Sequence, residues 1–292
     1  MKSYNVAQDL KTIRKIFGLT QTSFATRVGL SRSNIIRYES EETFPHKSAL
    51  EKLYSFAFDN ELNINKAKEM LFHDEQKDKI LLFHGAKEEI KGEIDHNHLI
   101  GSKDFGAGFY LSDTYDSATS WIAERENGSC YCFYFTPLAN YKIIKFDVSI
   151  EWMYAILYFR GAFEKYELSE EISKLINKIN ESDVIIAPIA NNNMYEVLNS
   201  FAYSTITDVQ CLHALSANNL GLQFVFKSER ACKDLEFIDR LYICENEKRQ
   251  YINKKKELAT QGRSKVLLSI EEYRREGKYF DEIFKKNGWA LS

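Results

Sequence analysis

Apolar residues over the first sixty positions recur at helical spacing, punctuated by glycine and capping residues. Leu10, Ile13, Ile16 and Phe17 line one face, and Gly18 is placed to stop that helix. A second short helix is predicted from Thr20, with Phe24, Ala25 and Val28 inward, and Gly29 supplies a turn. Ser31 is a good N-cap for a third helix carrying Ile35, Ile36 and Tyr38. Pro45 and the run Ala49, Leu50, Leu53, Phe56 begin a fourth. Short helices with a glycine turn between the second and third form a helix-turn-helix pattern.

The period changes further on. Residues 61–78 are polar, helical in part, and read as a linker. Ile80–Leu81–Leu82–Phe83 is a short apolar strand ended by His84–Gly85. Later strands are expected at 108–112, 130–136, 142–147, 184–189 and 223–227, with helices at 114–124, 149–159, 170–180 and 194–203 between them. Residues 246–292 read as charged helices broken at Gly262 and Gly277. The expected organisation is a head over 1–60, a linker over 61–78, a body over 79–245 and a helical tail over 246–292. The fold class is α+β: an all-α head followed by a mixed helix-and-strand body.

Composition refines this picture at three points. The chain has 292 residues and 44% hydrophobic residues, enough for two modest domains with real cores. Its net charge of -3 hides an uneven distribution: the head sums to +3, the tail to +5 and the middle to -11. Basic ends can track phosphates or simply be solvated helix faces. The five cysteines form no metal-ligand spacing with the histidines (His46, His73, His96, His98 and His213 among them), so no metal is expected. Cys130 and Cys132 share one face of a predicted strand and are expected to pack as small hydrophobes. The odd cysteine count and the lack of a leader or a long apolar run fit a cytoplasmic protein with no membrane partner.

Leu19–Thr20–Gln21, Phe24–Ala25, Gly29 to Ser33, and Ile35 to Glu39 together resemble the phage-repressor-like (xenobiotic-response-element type) helix-turn-helix family. The resemblance implies that the third helix enters the major groove. Gln21, Ser31, Arg32, Asn34 and Arg37 are then the expected DNA contacts, and a homodimer is expected on a two-fold site.

In the body, Leu82–Phe83–His84–Gly85, then Asp104 to Ser112 with Ser117–Ala118, then Leu222 to Phe226 resemble the His-Tyr-Glu branch of the ADP-ribosyltransferase superfamily. The wider pattern, with Ile189–Ala190–Asn191 and Arg275 to Phe280, looks like a bacterial family of transferase-like proteins often found with toxin–antitoxin genes. That resemblance implies a split pair of small antiparallel sheets binding NAD+ as substrate. It assigns His84, Tyr110 and Gln223 as the catalytic set, and His84, Gly85, Gly108, Tyr110 and Ser112 as the NAD+ cradle. His84 would bond a hydroxyl of the bound NAD+, Gly85 would offer backbone groups to the nicotinamide amide, and Tyr110 would stack on the ring.

Gln223 departs from the family's acidic third residue and cannot ionise or act as a general base. Glu196 and Glu229 are alternative bases, Lys103 could meet the pyrophosphate, and Asn191–Asn192–Asn193 could form a loop at the target site. The implied activity is transfer of a single ADP-ribose to a macromolecule, protein or nucleic acid, by a toxin or phage-defence effector. Its head would regulate its own promoter, and an antitoxin would be a partner. The competing expectation is a transcriptional regulator whose degenerate body only senses NAD+ or ADP-ribose.

Overall fold

A computed structural model describes residues 4–97, 103–190, 192–217 and 221–285. His98 and Asn191, named above, lie outside them. In chain order the helices are α1 (Val6–Ile16), α2 (Gln21–Val28), α3 (Arg32–Glu39), α4 (Lys47–Asp59), α5 (Ile64–Glu75), α6 (Tyr115–Ile122), α7 (Ile150–Phe159), α8 (Glu170–Asn180), α9 (Asn192–Ala202), α10 (Asp208–Ser216), α11 (Glu229–Lys233), α12 (Glu245–Glu272) and α13 (Phe280–Ile283). The strands are β1 (Ile80–Ala86), β2 (Phe109–Ser112), β3 (Ser129–Phe135), β4 (Ile143–Lys145), β5 (Val184–Pro188), β6 (Leu222–Phe226) and β7 (Glu236–Leu241). The chain divides into two compact units. Unit one is Met1–Glu93, Ser112–Thr136 and Leu235–Lys255, and unit two is Ile94–Leu111, Pro137–Asp234 and Lys256–Ser292.

Unit one begins with the head, whose helices stop and start where the sequence places its caps. Gly18 and Gly29 both adopt left-handed φ, +60° and +64°, a region closed to most side chains. Thr20 and Ser31 each accept a hydrogen bond from a first-turn amide, from Ser23 N and Asn34 N at 3.1 Å. Leu10, Ile13, Phe24, Ile35 and Leu53 form the head's core, and Tyr242 and Cys244, from the segment between β7 and α12, belong to the same cluster.

The span expected as a linker holds α5, which buries Ile64, Asn65 and Lys68. Lys68 Nζ reaches Asp9 of α1 at 2.5 Å and Asp239 of β7 at 2.8 Å. The rest of unit one is an antiparallel ladder. β1 pairs along its whole length with β3, β3 pairs with β7, and Phe83 pairs with Ser112. His84 and Gly85 therefore lie inside β1 rather than ending it. Cys130 and Cys132 pack with Phe83 against α6 in an apolar cluster.

Unit two lays the strands in the order β4–β5–β6–β2. The expectation of antiparallel pairing throughout fails at β4–β5, which is parallel. Parallel neighbours need a long crossover, and α7 and α8 supply it. Trp152, Met153, Ile156, Ile185, Phe201, Val225 and Phe280 are among the residues of the core beneath. α12 runs unbroken through Gly262, which is buried, whereas Gly277 does mark a turn, at φ +83°. β7, α10 and α11 have no counterpart in the sequence expectation. No described helix is long and apolar enough to cross a membrane.

Glu247, in the first turn of α12, is 3% exposed. Its carboxyl accepts from Tyr115 Oη at 2.8 Å, Asn63 Nδ2 at 2.9 Å and Asn65 Nδ2 at 3.2 Å. Burial pushes it up to about 7, against the pull of those hydrogen bonds. A carboxyl raised by folding contributes stability that is complete below its unfolded value and is lost as pH rises through the folded one. The unfolding free energy of the native chain should therefore fall between pH 5 and 8 relative to Glu247→Gln, by an amount on the order of 2 kcal/mol. Calorimetry of both proteins checks this, and parallel pH profiles would refute it.

Candidate DNA-binding face and candidate active site

The head presents the N-terminal part of α3 outward. Ile35, Tyr38 and Glu39 face the core, while Arg32, Ser33, Ile36 and Arg37 are exposed and Asn34 is half-buried. Arg37 meets Glu42 at 3.3 Å on the surface. Two of the expected DNA contacts have structural employment. The Ser31 hydroxyl caps α3. The Gln21 amide donates to Glu39 Oε2 at 2.8 Å.

Glu39 also receives Arg14 Nε at 2.8 Å and Nη2 at 3.1 Å. Burial disfavours its charge, but the hydrogen bonds from Arg14 and Gln21 outweigh that and hold the carboxyl below its ordinary value. Arg32, Asn34 and Arg37 are left as the side chains whose reach is outward.

His84 sits in unit one. It is half-buried and lies directly across from Tyr131 of β3, on the face opposite Phe83 and Gly85. The glycine that follows is explained by packing, not by a ligand. A Cβ on Gly85 would stand 2.4 Å from the Ala118 carbonyl oxygen of α6. Ser112 pairs with Phe83 at the end of β2.

Tyr110 and Gln223 sit in unit two. Tyr110 is half-buried on β2, and Phe109 beside it is buried, as the alternation predicts. The Tyr110 hydroxyl donates to Gly106 O at 2.8 Å and accepts from Phe105 N at 3.1 Å, and burial drives its pKa up. Its hydroxyl thus ties down the loop ahead of β2. The Lys103 ammonium lies 4.5 Å from the ring centroid. Gly106 has φ +73°, and a Cβ on Gly108 would meet Val225 at 2.6 Å, so both glycines are required by the chain's own packing.

The residue that organises this region is Asp104. It stands in the motif run, but nothing in the run marks it out. Its carboxylate is buried and fully engaged. Oδ1 accepts from Arg160 Nη2 at 3.0 Å and from Tyr195 Oη at 2.8 Å, and Oδ2 accepts from Gln223 Nε2 at 3.0 Å. The Arg160 guanidinium also lies flat over the Tyr195 ring, 3.4 Å from its centroid. Gln223 Nε2 donates its second proton to Pro188 O at 3.0 Å. Lys227 Nζ gathers the Phe105 and Ala107 carbonyls at 2.6 Å and 3.1 Å, and burial lowers its pKa to about 8.

Arg160, Tyr195 and Lys227 come from α7, α9 and the end of β6. Only folding assembles them, so no local signal could have found them. Glu196 and Glu229, considered above as bases, form exposed ion pairs with Arg263 at 3.3 Å and Lys233 at 2.6 Å. Of the expected asparagine loop, 192 and 193 belong to α9, and Asn193 donates to Ala259 O at 2.9 Å. Among the described residues no group of three or more His, Cys, Asp or Glu is placed to hold a metal.

Two family models match the chain. A helix-turn-helix model covers residues 10–53, coinciding with α1 to α4, and marks the head as a DNA-binding domain. The second covers residues 80–237, more than half of the chain, and carries the description "Protein of unknown function (DUF3990)". No curated protein and no solved structure matches.

Two substitutions probe these placements. Gly85→Ala forces a methyl against a backbone oxygen that cannot move aside cheaply, and urea unfolding should show a loss of about 2 kcal/mol or more. Wild-type stability would refute the packing explanation. Arg32→Ala should leave stability unchanged and weaken duplex DNA binding about tenfold in fluorescence anisotropy. Unaltered affinity would remove the N-terminus of α3 from the interface.

Proposed function

The chain belongs to the family described as Protein of unknown function (DUF3990), and from that premise we propose that its body is a mono-ADP-ribosyltransferase. It moves ADP-ribose from NAD+ to a macromolecular acceptor, as a toxin or phage-defence effector whose helix-turn-helix head acts at its own promoter. The supporting motif is the ordered set His84, Tyr110 and Gln223. The observation that carries the reading over the sensor alternative is the pairing of Gln223 with Asp104.

Both N–H groups of the Gln223 amide are committed, to Asp104 and to Pro188 O. What the side chain has left to offer a ligand is its carbonyl oxygen, an acceptor suited to a ribose hydroxyl. A glutamate at this position would set a second carboxylate beside Asp104 at the 3.0 Å now spanned by a hydrogen bond, and two such charges cannot both ionise at that separation. On this reading the glutamine answers to its neighbour and keeps an acceptor to offer.

In the proposed reaction the bond between ribose C1′ and the nicotinamide nitrogen breaks, and nicotinamide leaves with the electron pair. The cationic ribose is then taken by the acceptor's nucleophile, which gives up its proton to solvent, through a state comparable to that of glycoside hydrolysis. The resemblance assigns His84 to a hydroxyl of the dinucleotide, a role read from its place in the motif order. Tyr110 lends its ring to the nicotinamide. Asp104, Arg160 and Tyr195 hold Gln223 in its orientation.

Incubation of the purified chain with labelled NAD+ and cell lysate should release nicotinamide and label a macromolecule. His84→Ala and Tyr110→Ala should each reduce the rate about 100-fold or more. Protease and nuclease treatment identify the class of acceptor. NAD+ binding without nicotinamide release would overturn the transferase and leave the sensor.

A further inference from the structure

Two rows of side chains cross the ladder of unit one, one on each face, and both end on the head. On the first face Phe83, Cys132 and Asp239 stand in register across β1, β3 and β7. Asp239 is held by Lys68 of α5 at 2.8 Å, and Lys68 passes on to Asp9 of α1 at 2.5 Å. On the second face His84, Tyr131 and Arg240 stand in register. The Arg240 guanidinium lies 5.4 Å from the Tyr131 ring and 4.3 Å from the ring of Tyr4, just ahead of α1. Tyr4 in turn meets Tyr242 edge-on at 5.5 Å and stacks on Phe44 at 6.4 Å. From α1 itself, Arg14 forks onto Glu39 at the end of α3. Lys68, Asp239, Arg240 and Glu39 are all buried, so a shift at one end cannot be absorbed in solvent or in loose packing.

A helix-turn-helix on a flexible tether would bind DNA without regard to the body. In this head α1 cannot move against α3 without straining the Arg14–Glu39 fork. Nor can it move against the ladder without opening the Lys68 bridge or the Tyr4–Arg240 stack. We infer that the head and the strand carrying His84 are one energetic unit, so that DNA bound to α3 alters the β1–β3 ladder. By reciprocity, a ligand on the His84 face alters DNA affinity by the same factor. The coupling rests on the DNA-binding character of the head and is independent of the transferase reading. It makes DNA occupancy a regulator of the body's site, whatever that site binds.

The direct test is amide hydrogen exchange of the full chain, free and saturated with a duplex recovered by that chain from a random-sequence pool. Exchange at Leu82–Gly85 and Cys130–Cys132 should slow fivefold or more on DNA binding. Lys68→Met would leave two buried carboxylates unpaired and compromise folding. Tyr4→Leu is the usable variant, because it removes the ring on Arg240 and leaves every buried charge and its ionic partners in place. It should keep duplex affinity within about twofold while reducing the slowing at Leu82–Gly85 by about fivefold, the equivalent of one such contact. Exchange in the ladder that is unchanged by bound DNA overturns the coupling, and so does failure to recover any duplex.

A second arm measures duplex affinity with and without NAD+. NAD+ that binds and shifts the affinity supports the coupling, and NAD+ that binds with no shift contradicts it. NAD+ that does not bind at all counts against the transferase reading, while the exchange experiment still decides the coupling.

Discussion

A lysine buried between two carboxylates holds unit one in its arrangement. Lys68 has little access to water, and desolvation alone would lower its pKa. Asp9 and Asp239 reverse that and hold the ammonium above its ordinary value. Asp9 is itself steadied by the Tyr54 hydroxyl. Removing one member of such a buried set leaves an uncompensated charge, a loss of about 3–5 kcal/mol, a large share of a domain's net stability. The three residues come from α1, α5 and β7, at opposite ends of the chain. The bridge therefore makes the head, the supposed linker and the ladder interdependent, and the core cluster that admits Tyr242 and Cys244 to the head does the same with apolar contacts.

Asp104 plays the comparable part in unit two, with the charges reversed. One carboxylate collects Arg160, Tyr195 and Gln223, and Lys227 closes the loop that carries it. The arrangement spends its polar groups on orientation. The Gln223 amide cannot rotate without breaking two hydrogen bonds, and the Tyr110 hydroxyl is locked into the loop ahead of its strand. Groups fixed before a ligand arrives cost nothing to order when it binds. Glycines 85, 106 and 108 are each required by a neighbouring backbone, a close side chain or a positive φ.

The head was legible in sequence almost residue by residue. Its signals are local: the caps Thr20 and Ser31, the left-handed glycines 18 and 29, and an apolar face of period 3.6 all act within one turn of chain. The strands from β1 to β6 were legible for a similar reason, as short apolar runs between turns. β7 was not, because Glu236 to Leu241 carries Asp239 and Arg240, whose burial is made acceptable only by partners elsewhere in unit one. Gly262 misled because a glycine's helix penalty of about 1 kcal/mol is small against the packing of a 28-residue helix.

By itself the sequence determined the class of the head, the positions of most elements, and the order in which His84, Tyr110 and Gln223 occur. Those properties follow from interactions between residues close in the chain. The tertiary structure alone decided that the span 61–78 holds a helix anchored through Ile64, Asn65 and Lys68, and that Gln21 serves Glu39. It alone decided that Gly85 answers to α6, and that the Gln223 amide is tied to Asp104. Each of these is set by the burial of a charge or a backbone against a group distant in sequence, where desolvation makes the missing partner costly and no local pattern records who the partner is.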